Sequence, residues 1–144
     1  MISLVMDTSN SYLAVGLYQD NVCLEAFQEK GSRRQSEKAI PTLKGVLDRH
    51  HIALKDVNEM IITSGPGSYT GVRVAMTIAK TLAAVSDVRI KSVSSLAAYA
   101  GMNQALSVID ARGHKVFVGV YENGLPLIKE QVVTLEDFAH LRAE

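Results

Sequence analysis

The chain carries one strand-and-turn pattern twice, and this repetition limits the folds open to it. An apolar run that ends in an acid, ISLVMD at residues 2–7, is followed by a short turn and by YLAVGLYQ, which alternates as a β-strand does. Further along, ALSVID at residues 105–110 precedes KVFVGVY in the same way. Two such hairpin-building segments predict a mixed α/β protein made of two related parts.

The segments that join and follow these copies predict alternating helices and strands. The predicted elements are strands at 2–7, 12–19 and 22–30, a helix at 36–50, a strand at 59–63, a helix at 68–85, a strand at 89–94, a helix at 94–102, strands at 105–110, 115–121 and 126–134, and a helix from 135. The first eight read βββαβαβα, and the last four begin the same order again. We therefore predict a first lobe at residues 1–103 and the start of a second, incomplete lobe at 104–144.

Composition narrows the class of protein without identifying its function. The 144 residues are 47% hydrophobic, enough for one globular core or for one small lobe and part of another. Fifteen basic and fifteen acidic side chains give no net charge that would attract nucleic acid or an anionic membrane. The single cysteine excludes an intramolecular disulfide, and no Cys/His spacing indicates a zinc site. Without a signal peptide or an apolar run of about 20 residues, a soluble cytoplasmic protein is expected.

The stretch ITSGPGSYTGVRVAMTIAK, residues 62–80, places a glycine turn between a strand and a helix that Ser68 or Thr70 can cap. Such a turn can hold a phosphate, because backbone N–H groups converge at a helix N-terminus. However, the Walker lysine is missing, and Pro66 removes one N–H group. We favour a packing role, in which Gly71 lets a neighbouring helix backbone come close.

The turn after the first strand, Asp7-Thr8-Ser9, is open to two interpretations. One acid with two hydroxyl groups can hold a nucleotide's phosphates and Mg²⁺. Alternatively, Asp7 caps the turn by accepting hydrogen bonds from N–H groups two residues on, and we favour this interpretation. The first interpretation gives a vestigial nucleotide site made of Asp7, Thr8, Ser9, Gly65 and Gly67.

Four blocks of sequence resemble a known family. They are MDTSNSYLAVGL (6–17), QSEKAIPTLKGVL (35–47), GPGSYTGVRVAMTIAKTLA (65–83) with VSSLAAYA (93–100), and IDARGHKVFVGVY (109–121). They span nearly the whole chain and resemble the TsaB (YeaZ) family of the actin/Hsp70/sugar kinase (ASKHA) superfamily, whose fold is RNase H-like. The GPGSYTGVR block is its most specific motif.

The resemblance implies a role in tRNA modification without catalysis by this chain. TsaB-like proteins pair with a catalytic TsaD-like subunit, which transfers threonylcarbamoyl to N6 of adenosine 37 in tRNA, and a TsaE-like ATPase can join them. They are thought to act as scaffold and activator, and to form homodimers when isolated. The resemblance therefore implies that this subunit contacts tRNA only as part of the complex, and that the complex uses ATP. It also implies that the subunit itself needs no cofactor, metal or membrane. The alternative is a small ASKHA-type ATP-binding protein or ATPase.

The family's pairing surface maps onto the first two helices. We expect the subunit interface to consist of Glu37, Ile40, Leu43, Leu47, Thr70, Gly71, Arg73, Val74, Ala75 and Ile78. Arg73 is expected to pair either with Glu37 or with an acid of the partner. Val74→Asp and Gly71→Leu are predicted to break association while leaving the lone chain folded.

The chain departs from the family pattern at two places. Gln35-Ser36-Glu37 stands where His-Ser-Glu is usual, and family members usually have a complete second lobe. A basic strip lies around the first helix and is expected to be solvated rather than to contact tRNA. Its residues are Arg33, Arg34, Lys38, Lys44 and Arg49.

Overall fold

The computed structural model describes residues 1–30 and 35–143, and it divides into two compact units. The first unit consists of Met1–Ser64 and Ser68–Val93, and the second of Gly65–Gly67 and Ser94–Glu144. The units and the predicted lobes, 1–103 and 104–144, differ in where they place residues 94–103. The lobe boundary itself stays a prediction.

A five-stranded mixed sheet forms the centre of the first unit. Its elements are β1 (Ile2–Asp7), β2 (Tyr12–Gln19), β3 (Val22–Lys30), α1 (Gln35–Arg49), a 3-10 turn (Leu54–Asp56), β4 (Glu59–Thr63), α2 (Tyr69–Val85) and β5 (Arg89–Val93). The strand order is β3-β2-β1-β4-β5. The first three strands run antiparallel as the predicted meander, whereas β4 and β5 join in parallel after helical crossovers.

Local sequence signals explain where these elements begin and turn. Asp20 and Asn21 both adopt positive φ, as a two-residue hairpin turn between β2 and β3 requires. The side chain of Ser68 accepts a hydrogen bond from the N–H of Gly71 at 3.2 Å, so Ser68 caps α2. Of the two predicted caps, Ser68 and Thr70, the first is therefore the one used.

The core of the first unit lies between its sheet and its two long helices. Buried side chains from β1, β2 and β4 meet one face each of α1 and α2, and α1 also packs directly against α2. Helix α1 contributes Ala39, Leu43, Val46 and Leu47, and helix α2 contributes Ala75, Ile78 and Ala79. These residues recur at helical spacing, which is how the sequence indicated the two helices.

The second unit repeats the three-stranded meander with one short helix on it. Its elements are α3 (Ser95–Ala100), β6 (Ala105–Arg112), β7 (Lys115–Glu122), β8 (Leu125–Thr134) and α4 (Leu135–Ala143), and the strand order is β6-β7-β8. Ser94 caps α3 by accepting hydrogen bonds from the N–H groups of Leu96 and Ala97. Leu96 and Ala100 pack on the sheet against Ile109 and Tyr121, so α3 belongs to this unit's core. In the described part of the chain, no helix combines the length and hydropathy needed to cross a membrane.

Candidate functional site

A groove between α1 and α2 is the part of the first unit best suited to bind another molecule. Its volume is about 380 Å³. It is lined by Ser36 and Ile40 of α1 and by Tyr69, Thr70, Arg73, Val74, Thr77 and Ile78 of α2. Five of these eight residues belong to the interface predicted from sequence. We call this surface the α1–α2 groove.

Large apolar side chains at the groove remain uncovered in the lone chain. Ile40 is 58% exposed and Tyr69 is 76% exposed, although both lie on helices whose opposite faces are packed. Val74 is partly buried against the core and also lines the groove. An exposed apolar patch on a soluble domain is typical of a surface that another molecule covers.

Arg73 lies at the groove and contacts a neighbour on its own helix. Its Nη1 donates a hydrogen bond to the hydroxyl of Tyr69 at 3.2 Å, and its guanidinium carbon lies 5.2 Å from the centre of that ring. Of the two predicted partners, Glu37 forms no ion pair with Arg73 among the described residues. Pairing with an acid of another subunit stays a prediction.

Half of the predicted interface is already buried inside the single chain, which corrects the expectation that it would be open to a partner. The buried residues are Leu43, Leu47, Gly71, Ala75 and Ile78. Periodicity identifies the apolar face of a helix, but it does not say whether the chain's own sheet or a partner covers that face. The accessible members of the prediction are Glu37, Ile40, Thr70, Arg73 and the partly buried Val74.

Gly71 allows a close approach, but not the predicted one between helices. A Cβ atom at this position would lie 2.1 Å from the carbonyl oxygen of Thr8, in the turn after β1. Larger side chains at Gly71 would therefore collide with the backbone of the same chain. The prediction that Gly71→Leu leaves the lone chain folded is wrong for this reason.

Thr8 fastens the same turn to α2 from within the core. Its hydroxyl donates to the carbonyl oxygen of Gly71 at 2.6 Å and accepts from the N–H of Ala75 at 3.2 Å. These two backbone groups are four residues apart, so the hydroxyl bridges one step of the helical hydrogen-bond ladder. Because Thr8 is fully buried, its hydroxyl is not presented to solvent, where a phosphate or Mg²⁺ would bind.

Asp7 forms the hydrogen bonds expected of a turn cap. Its Oδ1 accepts from the N–H of Ser9 at 2.9 Å, from the Ser9 hydroxyl at 2.6 Å and from the Thr63 hydroxyl at 2.6 Å. The bond from the N–H two residues on is the Asx-type contact predicted from sequence. Gly65 and Gly67 belong to the second unit, where the Gly65 carbonyl accepts from the N–H of Ser95 at 2.8 Å. The vestigial nucleotide site stays a prediction.

Comparison with known proteins finds similarity to proteins of two names, TsaD and TsaB. A family model described as TsaD, tRNA N6-adenosine threonylcarbamoyltransferase, matches residues 28–143. TsaB of Bacillus subtilis, a tRNA threonylcarbamoyladenosine biosynthesis protein, is 33% identical over an alignment of 153 residues that covers the whole of this chain. TsaB of Escherichia coli is 31% identical over an alignment of 132 residues that covers 85% of this chain. The solved structure of YeaZ from Pseudomonas aeruginosa is 28% identical over 92% of the chain, with a TM-score of 0.85.

The chain belongs to the TsaB (YeaZ) family. The match to YeaZ also confirms the α/β fold class of the ASKHA type. The chain spans 67% of the Bacillus subtilis relative and 57% of the Escherichia coli relative. The activity and partners of the whole protein are therefore proposals.

The basic strip of this TsaB-family chain is partly neutralised by acids of β3. Lys38 pairs with Glu29 at 3.1 Å, and Arg49 and His50 both contact Glu25. The hydrogen bond from Arg49, with a smaller contribution from His50, lowers the pKa of Glu25 to about 2. Of the remaining predicted members, Lys44 is exposed, whereas Arg33 and Arg34 lie outside the described residues, as does the side chain of Gln35.

Sequence reasoning missed a second pocket, which lies wholly within the second unit. Its volume is about 670 Å³, and it is lined by Ala97, Tyr121, Gly124, Pro126, Lys129 and Glu130. We call it the Tyr121 pocket. Neither a motif nor a helical period marks these residues. The available signal was the repetition of VGLY, residues 15–18, as VGVY, residues 118–121, which singles out two tyrosines in matching places.

Proposed function

We propose that this chain is a non-catalytic scaffold and activator subunit in bacterial tRNA N6-threonylcarbamoyladenosine synthesis. It binds the catalytic TsaD-like subunit through the α1–α2 groove of its first unit. The observation that carries this proposal is an uncovered apolar groove in a chain whose relatives bear the name of that pathway. The match of residues 28–143 to the TsaD family model supports a partner built on the same fold plan.

The composition of the groove suits a protein partner. Tyrosine and arginine are the residues that most often dominate the binding energy of an interface, and Tyr69 and Arg73 lie side by side here. Ile40 and Val74 supply apolar area to the lining of the groove, and burying that area on association is favourable. The stacked Arg73 keeps hydrogen-bond donors for a carboxylate of the partner.

The same surface serves a homodimer when the chain is isolated, and a TsaE-like ATPase and tRNA are reached through the assembled complex. The proposal assigns this subunit no cofactor of its own. Its rival is an ASKHA-type ATPase using Asp7, Thr8 and the glycine turn. Calorimetry with ATP and Mg²⁺ distinguishes the two, because the scaffold proposal expects weak or no binding by this chain, whereas an ATPase must bind.

The decisive experiment places a charge in the groove. Ile40→Asp alters a side chain that is mostly exposed in the lone chain, so folding should persist. Burying an unpaired carboxylate at the centre of an interface should cost about 2 kcal/mol or more, or roughly 30-fold in affinity for the TsaD-like subunit. Val74→Asp is a second variant expected to act in the same direction. Co-purification tests whether a complex forms, and calorimetry with the separately purified partners measures its affinity. Light scattering measures homodimerisation.

Val85→Asp is the matched control. Val85 is 72% exposed at the far end of α2 and does not line the groove, so the same chemical change there should leave association intact. Circular dichroism verifies that all three variants are folded. If the Ile40 and Val74 variants bind the TsaD-like subunit as tightly as the Val85 variant, the groove is not the binding surface.

A further inference from the structure

The Tyr121 pocket contains an arrangement of charge that the proposed function does not use. Lys129 and Glu130, neighbours in β8, both line it, although successive residues of a regular strand point to opposite faces. The pairing of β7 with β8 explains this. Val118 pairs with Gln131 and Val120 with Ile128, so both Lys129 and Glu130 lie opposite Gly119. This is a β-bulge, a device that re-aims side chains and often lies beside binding sites.

Glycine at position 119 lets the tyrosine complete the arrangement. A Cβ atom there would lie 2.7 Å from Cε2 of Tyr121, so the phenol ring lies over the glycine. Tyr121 is only 2% exposed, and its hydroxyl donates a hydrogen bond to Oε1 of Glu130. Burial, together with the hydrogen bond to the Glu130 carboxylate, raises the pKa of Tyr121 to about 12. This bond holds the carboxylate of Glu130 at a fixed place in the pocket.

The corresponding strands of the first unit lack this bulge. There a Cβ atom at Gly16 would likewise lie close to the ring of Tyr18, at 2.9 Å from Cε2, yet Gly16 pairs with the single residue Ala26. The glycine and tyrosine are therefore shared by both units. The pairing of β2 with β3 shifts register only further along, between Leu17 and Tyr18, whereas the bulge opposite the glycine, with its two charged residues, belongs to the second unit. Since the first unit folds the same meander without them, Lys129 and Glu130 are not required by the fold.

The chemistry of the lining indicates the class of ligand. Lys129 forms no ion pair among the described residues, so its ammonium group can receive an anion. A carboxylate has two oxygens, and the bond from Tyr121 leaves Glu130 able to accept from a cation. Ala97, Pro126 and the backbone at Gly124 supply apolar surface beside these charges. We propose that the Tyr121 pocket binds a free α-amino acid with an apolar side chain, its ammonium on Glu130 and its carboxylate on Lys129.

A β-strand from another chain, added beside the edge strand β8, is a poorer candidate for this ligand. Pro126 has no N–H group to donate, and the pairing of β7 with β8 shifts register twice, before and after Val120. Proline and bulges are the features by which edge strands avoid pairing with another chain. A small zwitterion, in contrast, matches the two opposite charges without requiring a regular strand edge.

The test matches each ligand charge to one side chain. L-phenylalanine, N-acetyl-phenylalanine and phenylalanine amide are titrated into the full chain by calorimetry. We expect saturable binding of phenylalanine and binding about tenfold weaker or worse for each analogue, since each lacks one charge-assisted contact. Lys129→Met should remove the preference for phenylalanine over the amide. Glu130→Gln, which keeps an acceptor for Tyr121, should remove the preference over the N-acetyl form.

Lys115→Met is the control, because Lys115 is an exposed lysine of β7 that does not line the pocket. It should bind all three ligands as the unaltered chain does. The proposal is overturned if the unaltered chain shows no saturable phenylalanine binding up to about 10 mM. It is also overturned if the Lys129 and Glu130 variants discriminate among the ligands as the Lys115 variant does. The groove variants Ile40→Asp and Val74→Asp lie in the other unit, so failure here and failure of the proposed function can be told apart.

Discussion

The contact between Gly71 and Thr8 makes a prediction whose sign is opposite to that of an ordinary helix substitution. Replacing glycine by alanine inside a helix usually stabilises it by about 1 kcal/mol, because the unfolded chain loses conformational freedom. At Gly71 the added methyl would lie 2.1 Å from the Thr8 carbonyl oxygen, whereas real Cβ contacts essentially never fall below 3.0 Å. The separation must therefore grow by about 0.9 Å, the difference of these two distances.

The cost of this movement can be worked out from the bonds it disturbs. Overpacking a well-packed core costs about 1–3 kcal/mol. The same displacement stretches the two hydrogen bonds of the buried Thr8 hydroxyl, to Gly71 at 2.6 Å and from Ala75 at 3.2 Å. A buried polar group left unsatisfied costs about 1–3 kcal/mol more. After subtracting the helix-propensity gain of about 1 kcal/mol, we expect Gly71→Ala to lower the free energy of unfolding by about 1–5 kcal/mol.

Gly45, in the middle of α1, is the matched control. A Cβ atom there would meet only Nη1 of Arg49, at 3.2 Å, and this is the far end of a flexible side chain. Gly45→Ala should therefore raise the free energy of unfolding by about 0.5–1 kcal/mol. Urea denaturation followed by circular dichroism measures both variants. If Gly71→Ala proves as stable as the unaltered chain, or more stable, the Thr8 carbonyl does not approach Gly71 as closely as it does in this structure.

Two further predictions concern hydrogen bonds and charge in the first unit. Thr8→Val keeps the side-chain volume but loses the hydroxyl that bridges Gly71 and Ala75, so unfolding should become about 1–3 kcal/mol easier, whereas Thr8→Ser should keep most of the stability; equal denaturation midpoints for the two would contradict this. The pKa of Glu25 is lowered from 4.5 to about 2, chiefly by Arg49, so its ionised form favours the folded state above pH 4.5 and loses that effect as the pH falls toward 2. Denaturation of Glu25→Gln and the unaltered chain across this range should give curves that converge at low pH, and a gap independent of pH would refute the assignment.

The order of helices and strands could be read from the sequence, because each element of this chain carries its own period. The alternation in residues 12–19 and the helical spacing of Ala75, Ile78 and Ala79 are local signals, and the structure has strand β2 and helix α2 there. Turn chemistry was equally local, as the positive φ of Asp20 and Asn21 shows. The 3-10 turn at Leu54–Asp56 was missed, because three residues are too few to display a period.

The neighbours that each helix and strand packs against could not be predicted from the sequence in the same way. The sequence marked both α1 and α2 as amphipathic, but whether Leu43 faces the sheet or a partner depends on strands distant along the chain. Gly71 likewise gave a correct signal of close approach while its neighbour, Thr8, lies 63 residues away. Interface predictions from one sequence therefore overcount, since core and contact surface share the same residue types.

The Tyr121 pocket shows what a local sequence repeat can predict and what depends on the pairing register of two strands. VGLY and VGVY align without ambiguity, and a hairpin turn follows each tyrosine. Beyond the turn, the second copy has one residue more than the first between the turn and the partner of Val118. Sequence alone does not say where along the strand that residue is accommodated, and only one of the choices places Lys129 and Glu130 on the same face. The hydrogen-bond register places it opposite Gly119, where the absence of a side chain leaves room for the tyrosine ring, and so it converts an insertion of one residue into a pair of opposite charges at a pocket.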